Sequence, residues 1–247
     1  MSSFNILGFF QLKGGRRVTH QKPHTNFPTH HAHYNTNVWC TNSNIAADLR
    51  IYIASTTPLL PDGTVVFAVC TAQSTITGNP PHTFLNLDAL TFVIIPGDPN
   101  SDSYDAHLPD ERTSMVYGLG RVTGSPQTLD DGHSSRVVTV AVSDYVRDET
   151  RASTLQCVFD MSTARWTRVP IPHTNSGMQF YGICRDFTPA GVFRVKILSV
   201  ALNVAANSSA PSDETQQPPG ESTSAPVTPA KRRKFSPSPP SSVATDP

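Results

Sequence analysis

The sequence predicts an all-β protein organised around a small closed barrel. Five short apolar runs lie between Thr113 and Val204, and Gly, Pro, Asp and Ser residues separate them. Several runs alternate apolar and polar side chains, as at Val138, Val140 and Val142, so one face of each strand is buried. No long helical pattern interrupts them, and closing five strands into a ring removes the exposed edges. We therefore predict a five-stranded barrel of the OB type. The runs are Met115–Thr123, Arg136–Val146, Ala152–Asp160, Met178–Cys184 and Val192–Val204.

Three further runs precede this core, at Leu49–Ala54, Thr64–Thr71 and Leu85–Ile95. Three strands of this size bury too little surface to fold alone. We expect these additional N-terminal strands to extend the barrel or to pack beside it. The prediction is one composite β domain over residues 34–205, with its OB-like core at 113–204.

Both ends of the chain are predicted to be disordered. Residues 1–33 show little periodicity, and they form a basic arm with five histidines. His30, His31 and His33 suggest metal binding by imidazole, but no cysteine or carboxylate motif accompanies them, so we predict no metal site. Residues 206–247 are rich in Ser and Pro and poor in large apolar side chains, which is typical of a disordered tail.

The totals exclude several classes of function. Formal net charge is zero, so any attraction to nucleic acid must come from a local patch. The four cysteines have no metal-type spacing, which favours free thiols in a reducing compartment. No apolar run reaches membrane-spanning length, and no catalytic motif is present. We expect a protein that is not an enzyme, needs no cofactor and does not contact membranes.

The tail carries a short basic cluster, Lys231, Arg232, Arg233 and Lys234, in a proline-flanked context. Such clusters are read by nuclear-import receptors, so the sequence predicts a nuclear protein with that partner. The alternative is a chance basic cluster. Thr228, Ser236 and Ser238 each precede a proline, so they are predicted sites of proline-directed phosphorylation. A phosphate beside the basic cluster would add negative charge and weaken its recognition.

Basic and aromatic side chains are interleaved along the core, with nine basic and seven acidic residues between positions 113 and 204. Single-stranded nucleic acid is held by bases stacked on aromatic rings and by cations that follow the phosphates. Strand parity separates outward candidates from core residues. Trp166, between two arginines, is the most interesting of them, although a tryptophan that caps the core is the competing interpretation. The predicted nucleic-acid-binding residues are Tyr117, Arg121, Arg147, Arg151, Arg165, Trp166, Arg168, Tyr181, Arg185, Arg194 and Lys196.

Several blocks resemble an uncharacterised, duplicated protein family of mushroom-forming (basidiomycete) fungi. They include Leu59–Val66, Ile95–Pro99, Val116–Val122 and Val142–Asp148, and the similarity covers roughly residues 50–200. More distantly, the core is similar to the OB domains of replication protein A. That resemblance implies single-strand binding, but the Ser162–Gly177 segment contains too many prolines and glycines for the helix that those domains often carry there.

Two functions compete at this stage. The first is a non-enzymatic nuclear protein that binds single-stranded nucleic acid, DNA rather than RNA, through an OB-like barrel. The second is a protein-interaction or scaffolding module with the same fold, which near-neutral charge favours. A carbohydrate-binding β-sandwich fits the strand content but not the nuclear signal.

Overall fold

The computed structural model describes residues 2–21, 28–77, 82–130, 132, 134–202 and 204. These residues form twelve strands, a short 3-10 helix at Tyr104–His107 and a five-residue helix, α1. The predicted basic cluster at Lys231–Lys234 and the predicted phosphorylation sites Thr228, Ser236 and Ser238 lie outside the described residues. In chain order the elements are β1 Ser3–Gln11, β2 Lys13–Gln21, β3 Pro28–Trp39, β4 Asn44–Tyr52, β5 Val65–Thr77, β6 His82–Ile94, β7 Met115–Val122, β8 Gln127–Thr128, β9 Arg136–Val146, β10 Glu149–Phe159, α1 Ala164–Arg168, β11 Gly177–Phe187 and β12 Phe193–Leu202.

The C-terminal half closes into the predicted barrel. Its strands pair in the ring β7–β9–β10–β12–β11 and back to β7, with β10 and β12 parallel and the other pairs antiparallel. This ring is the OB arrangement, and we call it barrel II. All five predicted runs match an observed strand to within three residues at each end. The prediction of an all-β, OB-like fold is confirmed.

The additional N-terminal strands form a ring of their own, barrel I. Its order, β2–β3–β4–β6–β5–β1, repeats that of barrel II, with β4 and β6 as the parallel pair. β1 and β2 are two halves of one bent strand, and Leu12 closes the ring between them through hydrogen bonds with Gly63 and Thr64. The N-terminal strands thus extend the structure by a second copy of the topology.

The prediction of a disordered arm at residues 1–33 is wrong for the described part of that segment. Phe4, Ile6 and Phe10 point into the core from β1 and are fully buried. The sequence pattern hid this strand because the outward residues Leu7 and Phe9 are also apolar. Polar β2 is held by its ladder with β3. The folded part therefore begins near residue 3 and not at residue 34.

The pairing of β1 with β7 fuses the two barrels. β1 lies between β5 and β7, and its inward side chains enter a hydrophobic core that is continuous through both rings. Phe4, from barrel I, packs on Phe193 of barrel II with ring centroids 5.8 Å apart. The described residues accordingly form one compact unit. No helix in the described ranges is long and apolar enough to cross a membrane.

Candidate nucleic-acid interface

Two tyrosines lie side by side on the outer surface of barrel II. Tyr117 of β7 and Tyr181 of β11 are direct cross-strand partners, and both point away from the core. Tyr117 is 39% exposed, and its hydroxyl accepts a hydrogen bond from Gln179. The Tyr181 hydroxyl donates to the Met115 sulfur at 2.8 Å. The two rings border a shallow depression of about 140 Å³.

Two arginines flank this tyrosine pair. Arg121 lies four residues beyond Tyr117 on the same face of β7, about 13 Å away at the usual strand rise. Arg165, on α1, donates to the Ser199 hydroxyl at 3.3 Å, and Ser199 is the β12 partner of Tyr181. We call Tyr117, Tyr181, Arg121 and Arg165 the tyrosine patch.

Within the described residues, neither patch arginine is paired with a carboxylate. Arg121 donates to the Asn175 amide oxygen at 2.9 Å and Arg165 to a hydroxyl, so both acceptors are neutral. Exposed rings beside free cations are the elements that hold single strands.

Trp166 does not belong to this surface, which corrects the prediction that singled it out. The single turn of α1 directs its indole inward, where it is only 3% exposed and packs edge-on against Phe159 at 5.0 Å. Arg165 covers its outer side, with the guanidinium carbon 5.2 Å from the indole centroid. Trp166 caps the core of barrel II. Arg168 is exposed at the end of the same helix.

Arg147 is also unavailable to a ligand, because it lies in an ion cluster between the barrels. The β9–β10 turn reaches barrel I, where the Arg147 guanidinium donates to Asp48 at 2.5 Å and lies 3.3 Å from Asp88. The Arg147 backbone N–H donates to Asp88 at 2.7 Å. Arg50 bridges Asp88 and Asp148, each at 2.6 Å. Arg16 and His33 complete the cluster through Asp48.

Asp48 stays ionised at the centre of this cluster. Burial raises the pKa of its carboxyl group, but the hydrogen bond from His33 and the charges of Arg147 and Arg16 outweigh burial and lower the pKa to about 2. The three arginines and the three aspartates balance one another. The cluster therefore joins the barrels and leaves no net charge for phosphate.

The remaining predicted cations lie close to carboxylates. Arg151 pairs with Glu149, Arg194 pairs with Asp186, and Lys196 contacts Asp160 at 3.1 Å. The Nε of Arg185 lies 3.9 Å from Asp186. Strand parity predicted correctly that Arg185, Arg194 and Lys196 point away from the core. Parity could not show which carboxylate each basic side chain pairs with.

The β9–β10 face, where OB barrels commonly bind oligonucleotides, offers one exposed ring, Tyr145, near the end of β9. Its outward side chains are mostly small or polar, among them Thr139, Ala141, Ala152 and Thr154. The corresponding face of barrel I carries Asp48 and is covered by the β9–β10 turn. The tyrosine patch on β7 and β11 is thus the better candidate surface.

His31 lies beside the ion cluster and gives the fold a pH dependence. Burial lowers the pKa of its imidazole, Arg50 lowers it further, and the result is about 4. The ring packs between His20 and Tyr52, and its Nδ1 has no hydrogen-bond partner among the described residues. Between pH 6.5 and 4 the unfolded chain takes up a proton that the folded chain does not.

We expect acidification through this window to destabilise the protein. Stability that is present above pH 6.5 should fall as the pH drops to 4, by about 3 kcal/mol from this group. Urea unfolding at pH 7.5, 5.5 and 4.5 measures it. A His31→Gln variant should show a shallower dependence, and an unchanged slope would assign the effect to other groups.

Two solved structures are similar to this chain at low sequence identity. No family model and no curated protein matches the chain. One similar solved structure is the single-stranded DNA binding protein from Thermus aquaticus, 13% identical, with 85% of this chain and 96% of that chain covered and a TM-score of 0.49. A deletion mutant of the same protein is 12% identical over 81% of this chain and 93% of that one, with a TM-score of 0.48. At this identity the likeness concerns the fold alone.

Sequence reasoning missed the ion cluster and the glutamine that supports the tyrosine patch. Asp48 and Arg50 alternate with apolar Leu49 and Ile51, so two charged residues on one face of a strand were a visible signal. Gln179, which supports Tyr117, had no such signal. Its role depends on the pairing of β7 with β11.

Proposed function

We propose that this protein is a non-enzymatic binder of single-stranded nucleic acid and that the tyrosine patch is its contact surface. The observation that carries the proposal is the pairing of two outward-facing tyrosines across β7 and β11, flanked by Arg121 and Arg165. Bases stack on tyrosine rings, and the two guanidinium groups neutralise phosphates. Among the described residues, no group of His, Cys, Asp or Glu is arranged to hold a metal ion.

Replacing Tyr117 or Tyr181 with alanine should weaken binding to oligo-dT. Loss of one stacked base costs about 1–3 kcal/mol, which is roughly a 5- to 150-fold rise in Kd. Fluorescence anisotropy with a labelled oligo-dT measures Kd for both variants and for the parent chain.

Tyr145→Ala is the matched control, because Tyr145 is an exposed tyrosine of barrel II that lies on β9, outside the patch. Its Kd should equal that of the parent. Equal weakening in all three variants would show that the patch is not the site.

The same titration at two salt concentrations tests the role of phosphate contacts. Affinity for oligo-dT should fall as salt rises, and Arg121→Gln should reduce that salt slope by about one. We propose DNA as the preferred strand, and oligo-rU in the same assay decides between DNA and RNA. No binding to either would reject the proposed function.

A nuclear location for this activity rests on the basic cluster Lys231–Lys234. Import receptors bind such clusters, and phosphate on Thr228, Ser236 or Ser238 would oppose recognition. A fluorescent fusion of the full chain should concentrate in nuclei, and alanine at all four basic positions should distribute it through the cell. Nuclear accumulation of that variant would remove the proposal.

A protein-interaction function is the second candidate, favoured by the outer face of β6, β5, β1 and β7. Val93, Phe67 and Phe9 stand in register on three adjacent strands, and Val93 is 63% exposed. Leu7 and Met115 continue this apolar surface toward barrel II. Because the surface is uncharged, a second copy of the chain presents a matching one. Concentration-dependent dimerisation in sedimentation velocity, without affinity for oligo-dT, would favour this function.

A further inference from the structure

We infer that Cys40 and Cys184 are an oxidation site at which a hydroperoxide joins the two barrels through a disulfide. Cys40 ends the β3 region of barrel I, and Cys184 lies on β11 of barrel II. Both are thiols in this structure. The inference does not depend on nucleic-acid binding.

The two cysteines are held side by side by the backbone. The Thr41 N–H donates to the Cys184 carbonyl at 2.9 Å, and the Thr41 hydroxyl donates to the same oxygen at 3.2 Å. The Asn42 N–H donates to the Arg185 carbonyl at 3.1 Å, so the turn after β3 lies along β11. The Cys40 thiol donates to the Val38 carbonyl at 3.6 Å, and Cys40 lies near enough to Cys184 to raise the pKa of that thiol in addition to burial. A disulfide requires two cysteines on neighbouring backbone segments, and the hydrogen bonds of Thr41 and Asn42 to β11 place Cys40 and Cys184 on such segments.

The surroundings of the two thiols give them different roles. Cys40 is partly exposed and lines an open depression of about 260 Å³ beside Trp39 and Arg112, so a small peroxide can reach it. Cys184 is fully buried, and burial raises the pKa of its thiol. Oxidation therefore starts at Cys40, and Cys184 is the resolving thiol.

The disulfide forms in two steps. The Cys40 thiol is oxidised to a sulfenic acid while the peroxide O–O bond breaks, which releases water from hydrogen peroxide or an alcohol from an organic hydroperoxide. The Cys184 sulfur then attacks the Cys40 sulfur, and the S–S bond forms as the S–O bond breaks. The departing hydroxide takes the Cys184 proton and leaves as water.

The remaining cysteines serve as internal controls. Cys70 and Cys157 are fully buried in the core, and burial raises the pKa of both thiols. Neither is linked to another cysteine by a hydrogen bond in the described structure. They should stay reduced under conditions that oxidise Cys40.

The test treats the full chain with hydrogen peroxide and follows intact mass, linked peptides and Tm. We expect a loss of about 2 Da, a peptide pair joining Cys40 to Cys184, and reversal by dithiothreitol. The cross-link closes a loop that spans 144 positions (184 − 40). Tm should therefore rise by about 5–15 °C.

Two variants make the result decisive. Cys40→Ser should abolish the mass loss and the rise in Tm, and because Cys40 is partly exposed this variant should fold. Cys70→Ser should leave both unchanged. Addition of oxygen to Cys40 without a link, a link to Cys70 or Cys157, or a link between two chains would overturn the inference.

Discussion

Replacing Arg147 with methionine is expected to destabilise the protein by about 3 kcal/mol, because the change leaves buried carboxylates short of a partner. The Arg147 side chain neutralises Asp48 and Asp88 together, and both carboxylates belong to barrel I while the arginine belongs to barrel II. Urea unfolding at pH 7 measures the free energy of unfolding. A fall in Tm of roughly 10 °C should accompany it.

The local backbone makes this position more sensitive. Arg147 and Asp148 both have positive φ, at 56° and 66°, a conformation that costs energy for residues with a side chain. Tight two-residue hairpins require it, and here the ion cluster offsets the cost. Without the Arg147 contacts the turn keeps its backbone strain, and the ion pairs that offset this strain are lost.

Arg168→Met provides the matched control. Arg168 is exposed, and in the described structure it has no ion pair, so its replacement should change stability by less than about 0.5 kcal/mol. If Arg147→Met is as stable as Arg168→Met, the cluster does not hold the barrels together. A double-mutant cycle with Asp48→Asn then measures the coupling directly.

Replacing Gly182 with alanine is the second change with a large expected effect, also about 3 kcal/mol. A Cβ at this position would lie 2.4 Å from the Lys196 carbonyl oxygen and 2.7 Å from Val195 Cγ1. The clash involves the backbone of β12, so no side-chain rotation relieves it. β11 and β12 would have to separate at the point where their register shifts.

Gly124→Ala is the comparison for this prediction. The nearest heavy atom to its added Cβ, on Thr139, is 3.9 Å away, which is ordinary contact. Thermal unfolding should show a Tm near that of the parent for Gly124→Ala and a clear decrease for Gly182→Ala. Similar losses in both variants would show that the clash with β12 does not cause the destabilisation, since Gly→Ala by itself lowers the entropy of the unfolded chain and favours folding.

Two strands of barrel II, β9 and β11, show how much of a strand the sequence pattern predicts. The β9 limits were predicted to the residue, because its buried valines alternate cleanly with outward side chains. β11 was predicted three residues too short at its C-terminal end, where Arg185 and Asp186 interrupt the apolar pattern. A strand defined by its ladder partners continues through charged residues that find oppositely charged neighbours.

The chain by itself determined where barrel II would form and which of its side chains would face outward, since local periodicity encodes burial on one face. It did not determine which outward cations remain free. Lys196 meets Asp160 from 36 positions away and Arg147 meets Asp48 from 99, and such encounters exist only once strands are paired. Tyr117 and Tyr181, 64 positions apart, become neighbours for the same reason. The tertiary structure alone decided that four of the eleven predicted residues make one surface.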